Sequence, residues 1–169
     1  MRTAYLGGSP GVVVSGLVWL AAALVWTSAG PQPAFAVLFV GGMAIFPVSA
    51  AIARALGAPP VGQANPLNRL GLETTIPLFA GLLIAFHALP TDPPFAFALF
   101  AVVIGARYFA FATLYRDRAF WVLGGTIAAM GTAFLLHAGE LPLTVAAWVA
   151  VAEIVGGGVL FLRWRRQRP

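Results

Sequence analysis

The sequence predicts an all-α, polytopic membrane protein whose six transmembrane helices form a compact bundle. The chain of 169 residues is 60% hydrophobic and only 9% charged, and its mean hydropathy is +0.91. A typical soluble domain is about 25% charged. The sequence also contains six long apolar stretches separated by short segments in which most of the charges lie. A soluble fold of this size could not bury so much apolar surface, whereas a bilayer can cover it.

Each apolar stretch is long enough to span a membrane, since the hydrocarbon core needs about 20 helical residues. The segments between them are AGPQP, GAPPVGQANP, PTDPP, RDR and AGELP, whose composition favours turns. We therefore predict a single six-helix transmembrane domain over residues 1–169. The predicted spans are about 11–29, 34–56, 67–89, 95–115, 119–138 and 141–162.

Prolines mark the second and third spans. Pro47 and Pro77 each remove one helical hydrogen bond, so we predict a kink at both positions. Transmembrane helices tolerate such breaks where neighbouring groups or water satisfy the freed carbonyls, often beside a cavity. Asn65, followed by a proline, is predicted to cap the third helix.

Small residues four positions apart are expected at the helix contacts, because lipid supplies little hydrophobic drive between spans. Such pairs occur in the third, fourth, fifth and sixth spans: Gly81/Ala85, Ala101/Gly105, Gly125/Ala129 and Ala152/Gly156.

The distribution of arginine predicts the orientation. An even number of spans places both termini on one side, where nine of the ten basic residues then lie, whereas the opposite loops hold Asp92 and Glu140 and no arginine. The positive-inside rule predicts cytoplasmic termini. Arginine without lysine, with abundant alanine, glycine and proline, is typical of GC-rich bacteria, so we predict a bacterial inner (plasma) membrane location. Topology accounts for the basic charge, and no nucleic-acid partner is predicted.

Arg107 is the remaining arginine and lies inside the fourth span, in AVVIGARYFAFATLY. At 1.5 Å per residue it lies about 12 Å from the cytoplasmic end, with Glu153 of the sixth span about 14 Å and Glu73 of the third about 6 Å deep. A guanidinium stays charged, so we expect Arg107 to pair with Glu153, Glu73 or both. Tyr108 and Thr74 supply further polar groups at this site. Intramembrane charges indicate function by default, although a static pair that fixes helix packing is the alternative.

Catalytic chemistry is not predicted. GGSPG matches the G-x-S-x-G pattern of serine hydrolases, but Ser9 lies at the cytoplasmic end of its helix while His87 and His137 lie near the other face. That separation approaches the membrane thickness of about 30 Å, and catalysis requires hydrogen-bond contact. The chain has no cysteine and no phosphate-binding glycine loop or dinucleotide motif. We predict no catalytic residue, no cofactor and no metal site.

Two motifs resemble a family. NPLNRLG (Asn65–Gly71) and GARYFAFATLY (Gly105–Tyr115) are similar to a group of small six-helix bacterial membrane proteins classed as a domain of unknown function. The resemblance covers Asn65 to about Gly125. Members of that group often carry histidine at position 107 and proline at position 110. The resemblance implies no catalytic residue, and the arginine in this chain cannot relay protons near neutral pH as histidine can.

The sequence favours a small-solute or proton-linked transporter, or a ligand-binding membrane protein, with a polar, cytoplasm-facing pocket around Arg107. The expected partners are membrane lipid and a small-molecule or anionic ligand, and a homo-oligomer is compatible with the sequence. The alternative is a non-transporting scaffold or accessory subunit whose buried charges only specify packing.

Overall fold

The computed structural model describes residues 2–59, 67–137 and 144–167. Over these ranges the chain is helical and contains no strand. The α-helices are α1 (Ser9–Ala29), α2 (Pro31–Ala55), α3 (Leu67–Glu73), α4 (Thr75–Ala88), α5 (Pro93–Tyr115), α6 (Ala119–His137) and α7 (Val145–Arg166), and a 3-10 turn at Leu6–Gly8 precedes α1.

Six helical segments are long and apolar enough to cross a bilayer, which confirms the predicted number of spans. Four of them are single α-helices, the first combines the 3-10 turn with α1, and α3 and α4 together form the third span. The mean hydropathy of the six lies between 1.5 and 2.2. By length and composition, these are the helices that a multi-pass membrane protein requires.

The third span differs from the continuous helix predicted over 67–89, because it is interrupted at Thr74. Pro77 has no N–H group, so the carbonyl of Glu73 has no helical donor. The Thr74 and Thr75 hydroxyls donate to the Gly71 carbonyl at 2.9 and 3.2 Å, which adds local bonds at the break. The interruption at Thr74 therefore lies within one turn of Pro77, where the sequence predicts a kink.

The other predictions for helix ends and breaks have mixed outcomes. Helix α2 continues without interruption through Pro47. Asn65, the predicted cap of the third span, lies outside the described residues. Helix α7 runs to Arg166, four residues beyond its predicted end. The arginines of this last turn suit the partial negative charge of a helix C-terminus.

Helices α5 and α6 form the tightest contact. A Cβ added to Gly105 would lie 2.5 Å from the backbone nitrogen of Ala128, and one added to Gly124 would lie 2.6 Å from the Gly105 carbonyl oxygen. Only glycine allows the two backbones to approach this closely. The predicted contact role of Gly105 is thus confirmed. By contrast, a Cβ on Gly125 would meet nothing within 4 Å, so this glycine is not at a helix contact.

The remaining helices pack around this pair. Helix α7 lies against α1, where a Cβ on Gly157 would lie 2.5 Å from Val13. Helix α2 packs on the outer side of α1, and α4 packs on α5. Within the described residues no extensive packing joins α2 to the third span. The two outer spans therefore leave a space between them, with α1 and α5 behind it.

Candidate functional site

A partly open cavity of about 700 Å³ occupies the space between α1, α2, the third span and α5. Ligand-binding pockets have volumes of about 300–1,000 Å³. Its walls are mainly hydrophobic and aromatic, so the cavity is more apolar than the polar pocket that the sequence predicts. The polar side chains among its described lining residues are Tyr5, Ser15, Thr75, Arg107 and Tyr115.

Arg107 is the one charged side chain among these lining residues. Its Nη2 lies 3.4 Å from the Thr75 hydroxyl oxygen, to which it donates. The guanidinium carbon lies 5.2 Å from the centroid of the Phe111 ring, a cation–π contact. Phe111 is one turn nearer the arginine-rich end of α5.

The contacts of Arg107 leave its charge without an anionic partner. In the part of the chain that the structure describes, neither Glu153 nor Glu73 forms an ion pair with it within 4.0 Å. Its Nε is buried and has no hydrogen-bond acceptor there. The predicted pairing of Arg107 with a glutamate is therefore wrong for the described residues.

Glu153 instead bonds to the residue that follows Arg107. The Tyr108 hydroxyl donates to Oε1 of Glu153 at 2.6 Å, and the Glu153 side chain is fully buried between α5, α7 and α1. Successive helical residues point about 100° apart, because a turn contains 3.6 residues. Arg107 therefore faces the cavity while Tyr108 faces α7. Glu73 is exposed at the end of α3.

The threonine at the site is Thr75, whereas the sequence predicts its neighbour Thr74. The Thr74 hydroxyl donates to the Gly71 carbonyl, and Thr74 does not line the cavity, whereas Thr75 does. Ser15 of α1 lines the cavity as well and neighbours the Tyr108–Glu153 pair. A bound anion could receive hydrogen bonds from the guanidinium, whose Nε has no acceptor among the described residues.

Aromatic rings line the cavity towards the arginine-rich end. The centroid of the Tyr5 ring lies 6.2 Å from that of Phe46 and 6.5 Å from that of Tyr115. Tyr5 precedes the 3-10 turn, in which Gly7 and Gly8 have φ angles of 69° and 81°. This left-handed geometry, which glycine adopts readily, folds the N-terminal segment under the bundle.

The match to known protein families covers nearly the whole chain. The model of a family of unknown function, DUF7010, matches residues 1–163. The chain belongs to the DUF7010 family. This confirms the resemblance to an uncharacterised family of membrane proteins, and it assigns no activity. No curated protein and no solved structure matches the chain significantly.

Sequence reasoning missed Asp117 of this DUF7010 protein. It is 7% exposed, its carboxylate lies 3.2 and 3.4 Å from two nitrogens of Arg163, and it lies 4.0 Å from Arg2. The backbone N–H of Ala119 donates to it at 2.9 Å, at the start of α6. The available signal was a single acidic residue in the RDR loop immediately before a helix, which is typical of a cap.

Proposed function

We propose that this DUF7010 protein binds an anionic and otherwise largely apolar molecule in the cavity, with Arg107 as the group that recognises the anion. The observation that carries the proposal is the guanidinium of Arg107, which faces a mainly apolar cavity and has no carboxylate partner among the described residues. An uncompensated charge inside a membrane is costly, and a ligand anion would supply the missing partner. The guanidinium fork matches the geometry of carboxylate and phosphate groups.

The proposed orientation places both termini in the cytoplasm of a bacterial inner membrane. The support comes from the sequence, in which the other nine arginines all lie near the termini or in the segments on the side of the termini. Arg107 lies in the half of α5 that is nearer that end, eight residues before Tyr115, so its ligand would approach from the cytoplasmic half of the bilayer.

Transport of the same ligand is a second candidate, favoured by the interrupted third span. Interrupted helices form the binding sites of many transporters. Here the break at Thr74 lies beside Thr75, which contacts Arg107, so movement of α3 relative to α4 would change the site. The scaffold alternative accounts for the buried Tyr108–Glu153 pair but offers no reason for an arginine that has no carboxylate partner among the described residues.

Ligand-induced stabilisation tests the binding function. A molecule that binds only the folded protein raises the unfolding temperature in proportion to RT ln(1 + [L]/Kd). We expect dodecyl phosphate to raise the unfolding temperature of the protein in a neutral maltoside detergent, and uncharged dodecanol to have a smaller effect. The increase should be lost in Arg107→Gln and kept in Arg54→Gln, because Arg54 is exposed at the end of α2 and does not line the cavity. Equal increases in the two variants would contradict the proposal.

A further inference from the structure

We infer that the ligand is an anionic membrane phospholipid, which enters sideways between α2 and the third span and places its phosphate at Arg107. This inference rests on the proposed function and specifies both the class of ligand and its route. The cavity would hold part of an acyl chain against its apolar walls, while the rest of the lipid stays in the bilayer.

The first argument is that the cavity is continuous with the lipid-facing surface. Two side chains of α2, Met43 and Phe46, line it and are 60% and 65% exposed. On the third span, Leu72 and Phe79 also line it and are 72% and 53% exposed. These side chains belong to the two spans between which the described residues show no extensive packing. The opening is therefore lateral and has an apolar rim, which suits an acyl chain.

The second argument concerns the depth of the charge. Arg107 lies eight residues before the end of α5 at Tyr115, or about 12 Å. An arginine side chain can extend several ångströms along a helix, so the guanidinium can approach that end. A phospholipid of the same leaflet has its phosphate near the membrane interface, so it would need to sink by only a few ångströms.

The third argument is that the aqueous route is the more obstructed one. A soluble anion arriving from the arginine-rich end would have to pass the ring cluster of Tyr5, Phe46 and Tyr115. It would also lose its hydration in a cavity that offers one cation and a few hydroxyl groups. A lipid phosphate gains the same contacts while its chain stays in an apolar medium throughout. The lower cost of desolvation therefore favours the lipid over free phosphate.

Two glycines provide a matched pair of variants. Gly42 of α2 lines the cavity, and a Cβ added there would meet nothing within 4 Å, so leucine at this position would occupy cavity space without a backbone clash. Gly158 of α7 is also open, exposed and not part of the cavity lining. Both changes replace glycine by leucine within a helix, so their effects on helix propensity are similar.

Native mass spectrometry of the full chain in a neutral detergent tests the inference. After incubation with phosphatidylglycerol or phosphatidylcholine, we expect the wild type and Gly158→Leu to retain one phosphatidylglycerol at least tenfold more than phosphatidylcholine. Gly42→Leu and Arg107→Gln should lose this preference. Equal retention of phosphatidylglycerol by Gly42→Leu and Gly158→Leu would overturn the inference.

A parallel titration separates the two proposals. If inorganic phosphate or dodecyl phosphate stabilises the wild type through Arg107 but phosphatidylglycerol is not retained, the lipid inference fails and the proposed anion site stands. If none of the three probes binds in a manner that depends on Arg107, both proposals fail.

Discussion

Tyr108 donates a 2.6 Å hydrogen bond to Glu153, and this contact determines the environment of the adjacent Arg107. The bond holds the carboxyl group between α5 and α7, where it does not line the cavity. Arg107, one position earlier, faces the cavity and lacks a carboxylate partner among the described residues. Glu153 and Arg107, the acidic and basic residues that the sequence predicts as a pair, therefore lie in different environments.

The first prediction concerns the Tyr108–Glu153 bond. Tyr108→Phe removes the 2.6 Å hydrogen bond to a fully buried carboxyl group, so we expect the free energy of unfolding to fall by about 1–3 kcal/mol. Combining it with Glu153→Gln should give a non-additive change, with a coupling of about 0.5–3 kcal/mol. Denaturant unfolding in detergent measures both quantities. Strict additivity would show that the bond does not contribute to stability.

The second prediction concerns the stability cost of Arg107. Removing one partner of a buried ion pair costs about 3–5 kcal/mol, whereas removing an unpaired charge costs nothing or stabilises the fold. We therefore expect Arg107→Gln to match or exceed the wild type in unfolding free energy when no anionic lipid is present. Arg54→Gln serves as the control for loss of one positive charge. A loss of several kcal/mol in Arg107→Gln alone would indicate a buried partner.

The third prediction concerns Asp117, which caps α6 and also contacts Arg163 and Arg2. Asp117→Ala should lower the free energy of unfolding by about 1–3 kcal/mol, from a lost cap and weak, half-exposed ion pairs. Asp92→Ala is the matched control, since Asp92 caps α5 through the N–H of Phe95 at 3.0 Å without an arginine partner among the described residues. The difference in destabilisation between Asp117→Ala and Asp92→Ala should shrink when the salt concentration rises from about 0.1 to 1 M, because the screening length falls from about 10 to 3 Å. A difference that is independent of salt would exclude an electrostatic role for the arginines.

The fourth prediction concerns orientation. With nine arginines on the side of the termini, a reporter fused after Pro169 should be active only in the cytoplasm, and one inserted near Asp92 only outside. Paired alkaline phosphatase and fluorescent-protein fusions measure the two sides. An external carboxyl terminus would reverse the proposed orientation and place the opening of the cavity in the outer leaflet.

The spans could be predicted from the sequence because runs of apolar residues and the turns between them determine where helices cross a membrane. The depth of each charge followed from the rise per residue. Depth does not determine the direction in which a side chain points around the helix axis, however. Arg107 and Tyr108 are adjacent, but their side chains point about 100° apart. The same limitation explains why the sequence predicts Thr74 at the site, although Thr75 is the residue that contacts Arg107.

The cavity itself could not be predicted, because it depends on how the outer spans are arranged. Gly41 and Gly81 allow α2 and α4 to approach Val18 of α1 and Val103 of α5, where a Cβ on either glycine would lie 2.5 Å from a valine methyl group. These contacts hold each outer span to a different inner helix. The space between α2 and α4 results from this arrangement, and no single motif specifies it.

Side-chain NMR of arginine tests the central claim most directly, namely that Arg107 contacts the anion. The chain has ten arginines and no lysine, and the Nε–H signal of Arg107 can be assigned as the one missing from Arg107→Gln. In protein labelled with ¹⁵N-arginine, phosphatidylglycerol should shift this signal in a saturable manner, because a phosphate would enter the hydrogen-bonding range of the guanidinium. The signal of the exposed Arg54 should stay in place, and phosphatidylcholine should have a much weaker effect. An Arg107 signal that does not move while phosphatidylglycerol shifts the exposed arginines would contradict the account.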